Sequence, residues 1–119
     1  VTALVGDLKP SLEMTEEFTR RRATTLQLVS EVPGFKCYAP EGAFYVFPDV
    51  SSYYGKTDGT QTIQNAADFS MYLLNTAHVS SVMGDAFGEP NCVRFSFANS
   101  MPNIEKAWAR IKEALAKLK

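Results

Sequence analysis

The chain has 119 residues, 45% hydrophobic and 21% charged, with 12 Lys and Arg against 13 Asp and Glu for a net charge of -1. This is the length and composition of one globular domain with a real core and no room for a second. The near balance of charge and the single basic run, Arg20, Arg21 and Arg22, argue against a dedicated nucleic-acid binder, and no apolar run approaches the roughly 20 residues that cross a bilayer.

In chain order, residues 1–6 read as the last turn of a helix ending at Gly6, without the basic region or length of a signal peptide. The absence of an initiator methionine there fits an excised fragment as well as a processed chain. A long helix is predicted over residues 10–32, with Met14, Phe18, Leu26 and Val29 as its apolar stripe and Arg22 and Thr25 interrupting it. Its basic run reads as a solvated face paired with Glu16 and Glu17 at helical spacing. Pro33 and Gly34 stop this helix. A short strand over residues 35–38, a turn over 39–42 and a second strand over 43–47 then predict a hairpin ended by Pro48.

Residues 51–61, rich in Ser, Gly, Thr and Asp, read as an exposed loop. A helix over residues 63–77 follows, with Ile63, Ala66, Ala67, Ser70, Leu73, Leu74 and Ala77 at helical spacing. The only histidine, His78, closes that helix, and no Cys or second His stands beside it to suggest a metal. Residues 79–83 form a third predicted strand and 84–90 the loop after it. The fourth strand carries Val93, Phe95 and Phe97 on one face and Cys92, Arg94, Ser96 and Ala98 on the other. Ser100 occupies an N-cap position with Pro102 in the first turn of the last helix, whose stripe is Ile104, Ala107, Trp108, Ile111, Ala114, Leu115 and Leu118.

The expected fold is therefore a single two-layer α+β domain over residues 1–119, with a small, mainly antiparallel sheet of three to four strands and three helices. The helices cover one sheet face, and the other face carries Arg94, either wet or covered by something outside this chain. Cys37 and Cys92 are too few for a disulfide scaffold and lack metal-ligand spacing, which predicts buried, reduced thiols in a cytoplasmic protein.

Nucleophilic catalysis would need a base near a Ser, Cys or Thr, and the one histidine is in no such context. No nucleophile elbow or phosphate-binding glycine loop is present. Arg94 is the one candidate binding group. An arginine offers a planar fork that matches a carboxylate in two parallel hydrogen bonds, and its small strand neighbours leave room for a ligand. The alternative is an ordinary arginine on the wet face of a sheet.

Three segments, taken together, carry a resemblance. Residues 33–48 read P-G-x-x-C-x-x-P-x-G-A-F-Y-x-F-P, residues 82–88 read V-M-G-x-x-F-G, and residues 94–98 read R-F-S-x-A before the final helix. In order and spacing these resemble fold-type I, pyridoxal-phosphate-dependent aminotransferases, most closely the bacterial type of aspartate aminotransferase. Met14, Phe18 and the run Arg20, Arg21 and Arg22 also fit that family's M-x-x-x-F-x-x-R-R helix. Met83 departs from the family's usual proline.

The resemblance implies a C-terminal small domain of a larger aminotransferase, with residues 1–9 a remnant of the interdomain connection. Arg94 would bind the substrate's α-carboxylate, while Phe44 and Phe87 would be either cleft walls or plain packing. The cofactor-binding lysine, the partner of the pyridinium nitrogen and the phosphate-binding residues have no counterpart in this chain. Pyridoxal 5'-phosphate is thus expected on a missing large domain and not here, and the chain alone is expected to be inactive. The implied partners are an amino-acid or 2-oxo-acid substrate, the large domain of the same polypeptide and a second copy of the parent. The competing reading is an independent, non-enzymatic small-molecule-binding or interaction module of α+β fold.

Overall fold

The computed structural model describes residues 1–119. After a single turn, α1 (Thr2–Val5), the chain enters α2 (Lys9–Ser30), which starts where the Asp7 carboxylate accepts the Lys9 N–H at 2.9 Å and a proline stands in its first turn. The helix ends just before Pro33, and Gly34 takes φ +83°, where a side chain would also run into Ser52. Only the second half of α2 is buried, through Thr25 and Val29; Leu12 and Met14 are exposed, so the apolar stripe predicted from Met14 onward does not meet the core at its beginning. The basic run is split. Arg20 and Arg21 both pair with Glu17, at 2.6 and 2.8 Å, and Arg22 donates to the Pro40 carbonyl at 2.5 Å; Glu16 takes no part.

Three short strands follow: β1 (Tyr45–Val46), β2 (Val82–Met83) and β3 (Val93–Ser96), in the antiparallel order β1-β3-β2. Tyr45 lies opposite Ser96 and Val46 opposite Phe95; Val82 lies opposite Arg94 and Met83 opposite Val93. The hairpin predicted between residues 35–38 and 43–47 does not form. The first of these segments contributes one bridge, Lys36 with Asp49, and Asp49 in turn bridges Cys92. Strand β1 turns instead to β3, where Val46 and Phe95 can both be buried; Tyr38 is 96% exposed and has nothing to pair with.

The predicted exposed loop over 51–61 is also corrected. A 3-10 turn, Ser51–Tyr53, drives Tyr53 into the core, and the Tyr53 hydroxyl donates to the Pro33 carbonyl. Farther on, the Asp58 carboxylate accepts from the Thr60 and Gln61 amides, an Asx-type turn.

Helix α3 (Ala66–Ala77) is capped by the Asn65 side chain, which accepts the Asp68 N–H at 2.9 Å. It ends at His78 in the left-handed conformation, φ 55° and ψ 40°. Ser100 is the N-cap of α4 (Met101–Leu115), as its position predicts, though its hydroxyl makes no capping bond. All three long helices bear on one side of the sheet, where Phe69, Tyr72, Leu73, Trp108 and Ile111 meet Val46, Val93, Phe95 and Phe97. Phe35 sits at the junction, with its ring 5.9–6.4 Å from those of Tyr53, Phe69, Phe95 and Trp108. Burial of these aromatic and aliphatic side chains is the main stabilising contribution. It fixes which face of β3 looks outward.

Candidate functional site

Alternation along β3 sends Val93 and Phe95 into the core and leaves Arg94 half-buried on the outer face. β3 is the central strand, so Arg94 has a neighbouring strand on each side. Tyr45 arrives from β1, diagonally across the ladder, with its ring centroid 4.3 Å from the guanidinium carbon. Phe87 arrives from the 3-10 turn Gly84–Phe87 that follows β2, at 4.4 Å. Both distances are those of close cation–π contact. Two rings this near one carbon would touch if they lay side by side, yet the only ring paired with Phe87 is Phe47, at 6.0 Å and 90°. The guanidinium therefore lies between Tyr45 and Phe87. Arg94 takes part in none of the chain's ion pairs.

The expectation that nothing bulky stands beside Arg94 holds along its own strand and fails across it. Tyr45 is the residue that sequence reasoning missed. Residues 43–47 are apolar or aromatic on both faces, so alternation did not single it out, and the wrong hairpin partner hid its proximity to β3. Phe44, by contrast, points to the other side of β1. Its ring lies 4.5 Å from Phe18 of α2 and 6.5 Å from Phe97, bordering a groove of about 380 Å³ with Met14 and Arg22. Phe87 and Arg94 are thus brought together, and Phe44 and Arg94 are not.

A second concavity of about 710 Å³ holds both thiols, Cys37 and Cys92, with Lys36, Asp49 and Glu89 around it. Both cysteines are unpaired and half-buried. The Lys36–Asp49–Cys92 row sets their segments two strand spacings apart, roughly 10 Å, beyond the reach of a disulfide. Burial raises both thiol pKa values, for Cys92 with help from the Asp49 and Glu89 carboxylates, which opposes formation of a nucleophilic thiolate.

Comparison with known proteins gives a consistent picture. The family model described as aminotransferase class I and II matches residues 2–111. A bifunctional aspartate aminotransferase and glutamate/aspartate-prephenate aminotransferase of Petunia hybrida is 43% identical over 107 residues, covering 89% of this chain and 22% of that protein. An aspartate aminotransferase of Streptomyces avermitilis is 35% identical over 119 residues, covering 100% of this chain and 29% of its own length. Among solved structures, the aspartate aminotransferase from Rhizobium meliloti superposes with a TM-score of 0.93 at 38% identity, covering 99% of this chain and 30% of that one. The chain spans about a quarter of the length of the curated relatives it matches.

Proposed function

This chain belongs to the aminotransferase class I and II family, and we propose that it is the C-terminal small domain of a pyridoxal-phosphate-dependent transaminase of the aspartate/2-oxoglutarate type, in which Arg94 binds the substrate's α-carboxylate. The observation that carries this reading is the state of Arg94: a half-buried guanidinium on the central strand, aimed away from the core, with no carboxylate of its own chain against it. A carboxylate ligand would supply the missing charge partner through two parallel N–H···O bonds, and so fix the orientation of the substrate's Cα–H bond.

The residues against Arg94 do not fit the cofactor itself. Tyr45, Phe87 and cross-strand Val82 offer no amine, no carboxylate and no cluster of backbone amides for a phosphate. When bound, pyridoxal phosphate supplies the electron sink of the reaction, and in this reading its seat lies wholly in the large domain that precedes residues 1–9. The chain alone then binds carboxylates weakly and does not transaminate. The same reading makes the parent a cytoplasmic homodimer acting on amino-acid and 2-oxo-acid substrates. No helix here is long and apolar enough to cross a membrane.

The test is steady-state kinetics on the full-length holoenzyme with Arg94→Ala and Arg94→Lys. Removing one partner of a charged, hydrogen-bonded pair costs about 2–5 kcal/mol, so kcat/KM for the amino donor is expected to fall by at least about thirtyfold while the cofactor absorbance stays. An unchanged kcat/KM, or loss of the cofactor with substrate affinity intact, refutes the assignment.

A further inference from the structure

We infer that Tyr45 and Phe87 are positioning residues for carboxylate recognition, covering the two faces of the Arg94 guanidinium so that only its in-plane N–H edge is offered to a ligand. This rests on the reading of Arg94 as the carboxylate-binding group and deepens it. A guanidinium has two kinds of surface: π faces that stack on rings, and a rim of N–H donors lying in its plane. The two rings lie 4.3 and 4.4 Å from the guanidinium carbon, the spacing of rings stacked on its faces, and such stacking leaves the rim free. None of the chain's own carboxylates takes that rim.

Three consequences follow for a ligand. It must approach in the plane, which suits a flat carboxylate and its two coplanar oxygens. The long, flexible arginine side chain is already held in one plane, so less rotamer freedom is lost on binding. The rings also exclude water from the faces, which strengthens the attraction at the rim. The two clamps come from different edges of the sheet. Tyr45 is on β1, while Phe87 follows β2 and is itself backed edge-on by Phe47. Tyr45 and Phe87 are 39% and 47% exposed, so truncating either opens no sealed cavity in the core.

The experiment uses the full-length holoenzyme and succinate, a non-reacting dicarboxylate, as the competitive probe. Tyr45→Ala and Phe87→Ala are each expected to raise the inhibition constant about fivefold, the scale of one cation–π contact, and to raise KM by more than they lower kcat. Tyr45→Phe, which keeps the ring, restores the affinity, and Tyr45→Leu, which keeps bulk without a π face, does not. In an Arg94→Ala background neither ring substitution has a further effect, because both act through the guanidinium.

Affinity restored equally by leucine, or an undiminished effect of Tyr45→Ala without Arg94, overturns the inference. Should Tyr45→Ala fail to fold, the Phe and Leu pair decides the same question. The two levels separate cleanly. If Arg94→Ala weakens succinate and the ring variants do not, only the clamp fails; if Arg94→Ala leaves succinate binding unchanged, the carboxylate reading fails with it.

Discussion

Gly84 stands where the chain leaves β2 and doubles back toward β3. Its amide donates to the Cys92 carbonyl at 2.8 Å, and its own carbonyl accepts from Glu89 at 3.1 Å. A Cβ at this position would collide with the Glu89 carbonyl oxygen and lie 2.6 Å from that of Cys92, where ordinary contact begins near 3.4 Å. Both obstacles are backbone atoms, so no rotamer change relieves the overlap; the turn itself must move. Overpacking of this kind costs typically 1–3 kcal/mol and occasionally more, and Gly84→Ala is expected at the upper end, about 3 kcal/mol. With a urea m-value of about 1.5 kcal/mol/M for a chain of this size, the denaturation midpoint should drop by about 2 M. Trp108, the single tryptophan and buried in the core, reports the transition by fluorescence. Gly42→Ala is the control, because nothing lies within 4 Å of its would-be Cβ and its φ is not left-handed. That variant should be neutral or gain a few tenths of a kcal/mol from a stiffer unfolded chain. A Gly84→Ala midpoint within about 0.3 M of wild type, or an equal loss from Gly42→Ala, refutes the steric argument.

Met83→Pro is expected to stabilise the chain by about 0.4–1 kcal/mol, read as a rise in Tm of a few degrees; its φ of -61° already suits proline, and its amide lies on the outer side of edge strand β2, since the adjacent Gly84 makes the bond to β3. A lower Tm would show that the Met83 amide or side chain has a partner the turn depends on. Four carboxylates are held below their ordinary pKa in the folded state: Glu17 by Arg20 and Arg21, Glu31 by Lys112, Asp49 by bonds from Ser51, and Asp58 by bonds from Gln61 and Thr60. Depressed folded-state values contribute stability that is complete above the unfolded range near pH 4 and lost as pH falls through the folded value, so urea midpoints should decline below about pH 4.5. Asp49→Asn, which keeps an acceptor oxygen for the Ser51 amide, should flatten that decline; an unaltered acid limb would count against the assignment.

Periodicity made the three long helices and β3 legible because each carries its own evidence. An apolar stripe is local, as at Ile104, Trp108 and Ile111, whereas the cap at Asn65 went unread and the helix predicted from residue 63 begins at Ala66. Strand pairing is not local. The segment at 35–38 has the composition of a strand, but β1 gains more by pairing with β3, where Phe95 can be covered. Ser, Gly and Thr at 51–61 announced a loop correctly in the chemical sense, yet they gave no sign that Tyr53 would reach Phe35 and Phe69. The same limit applied to the site. Arg94 and its strand were readable from ten residues, while its ring neighbours arrive from positions 45 and 87, through contacts that only the sheet order creates.

The charge distribution explains why an arginine in this setting need not destabilise the chain. Elsewhere on the chain the cations are either exposed or answered: Arg20 and Arg21 by Glu17, Lys112 by Glu31, Arg22 by the Pro40 carbonyl, and half-buried Lys56 by the face of the Tyr53 ring at 5.3 Å. Arg94 has lost part of its hydration to the sheet and receives no carboxylate in return. Partial burial of an unpaired charge is unfavourable, and two cation–π contacts of about 0.5–1 kcal/mol each offset it without using a single N–H donor. An intrachain Asp or Glu would offset it more fully, but it would also occupy the rim a ligand needs. Aromatic rings are the partners that steady the charge and leave its hydrogen-bonding capacity free. That combination is expected of a residue whose counter-ion comes and goes.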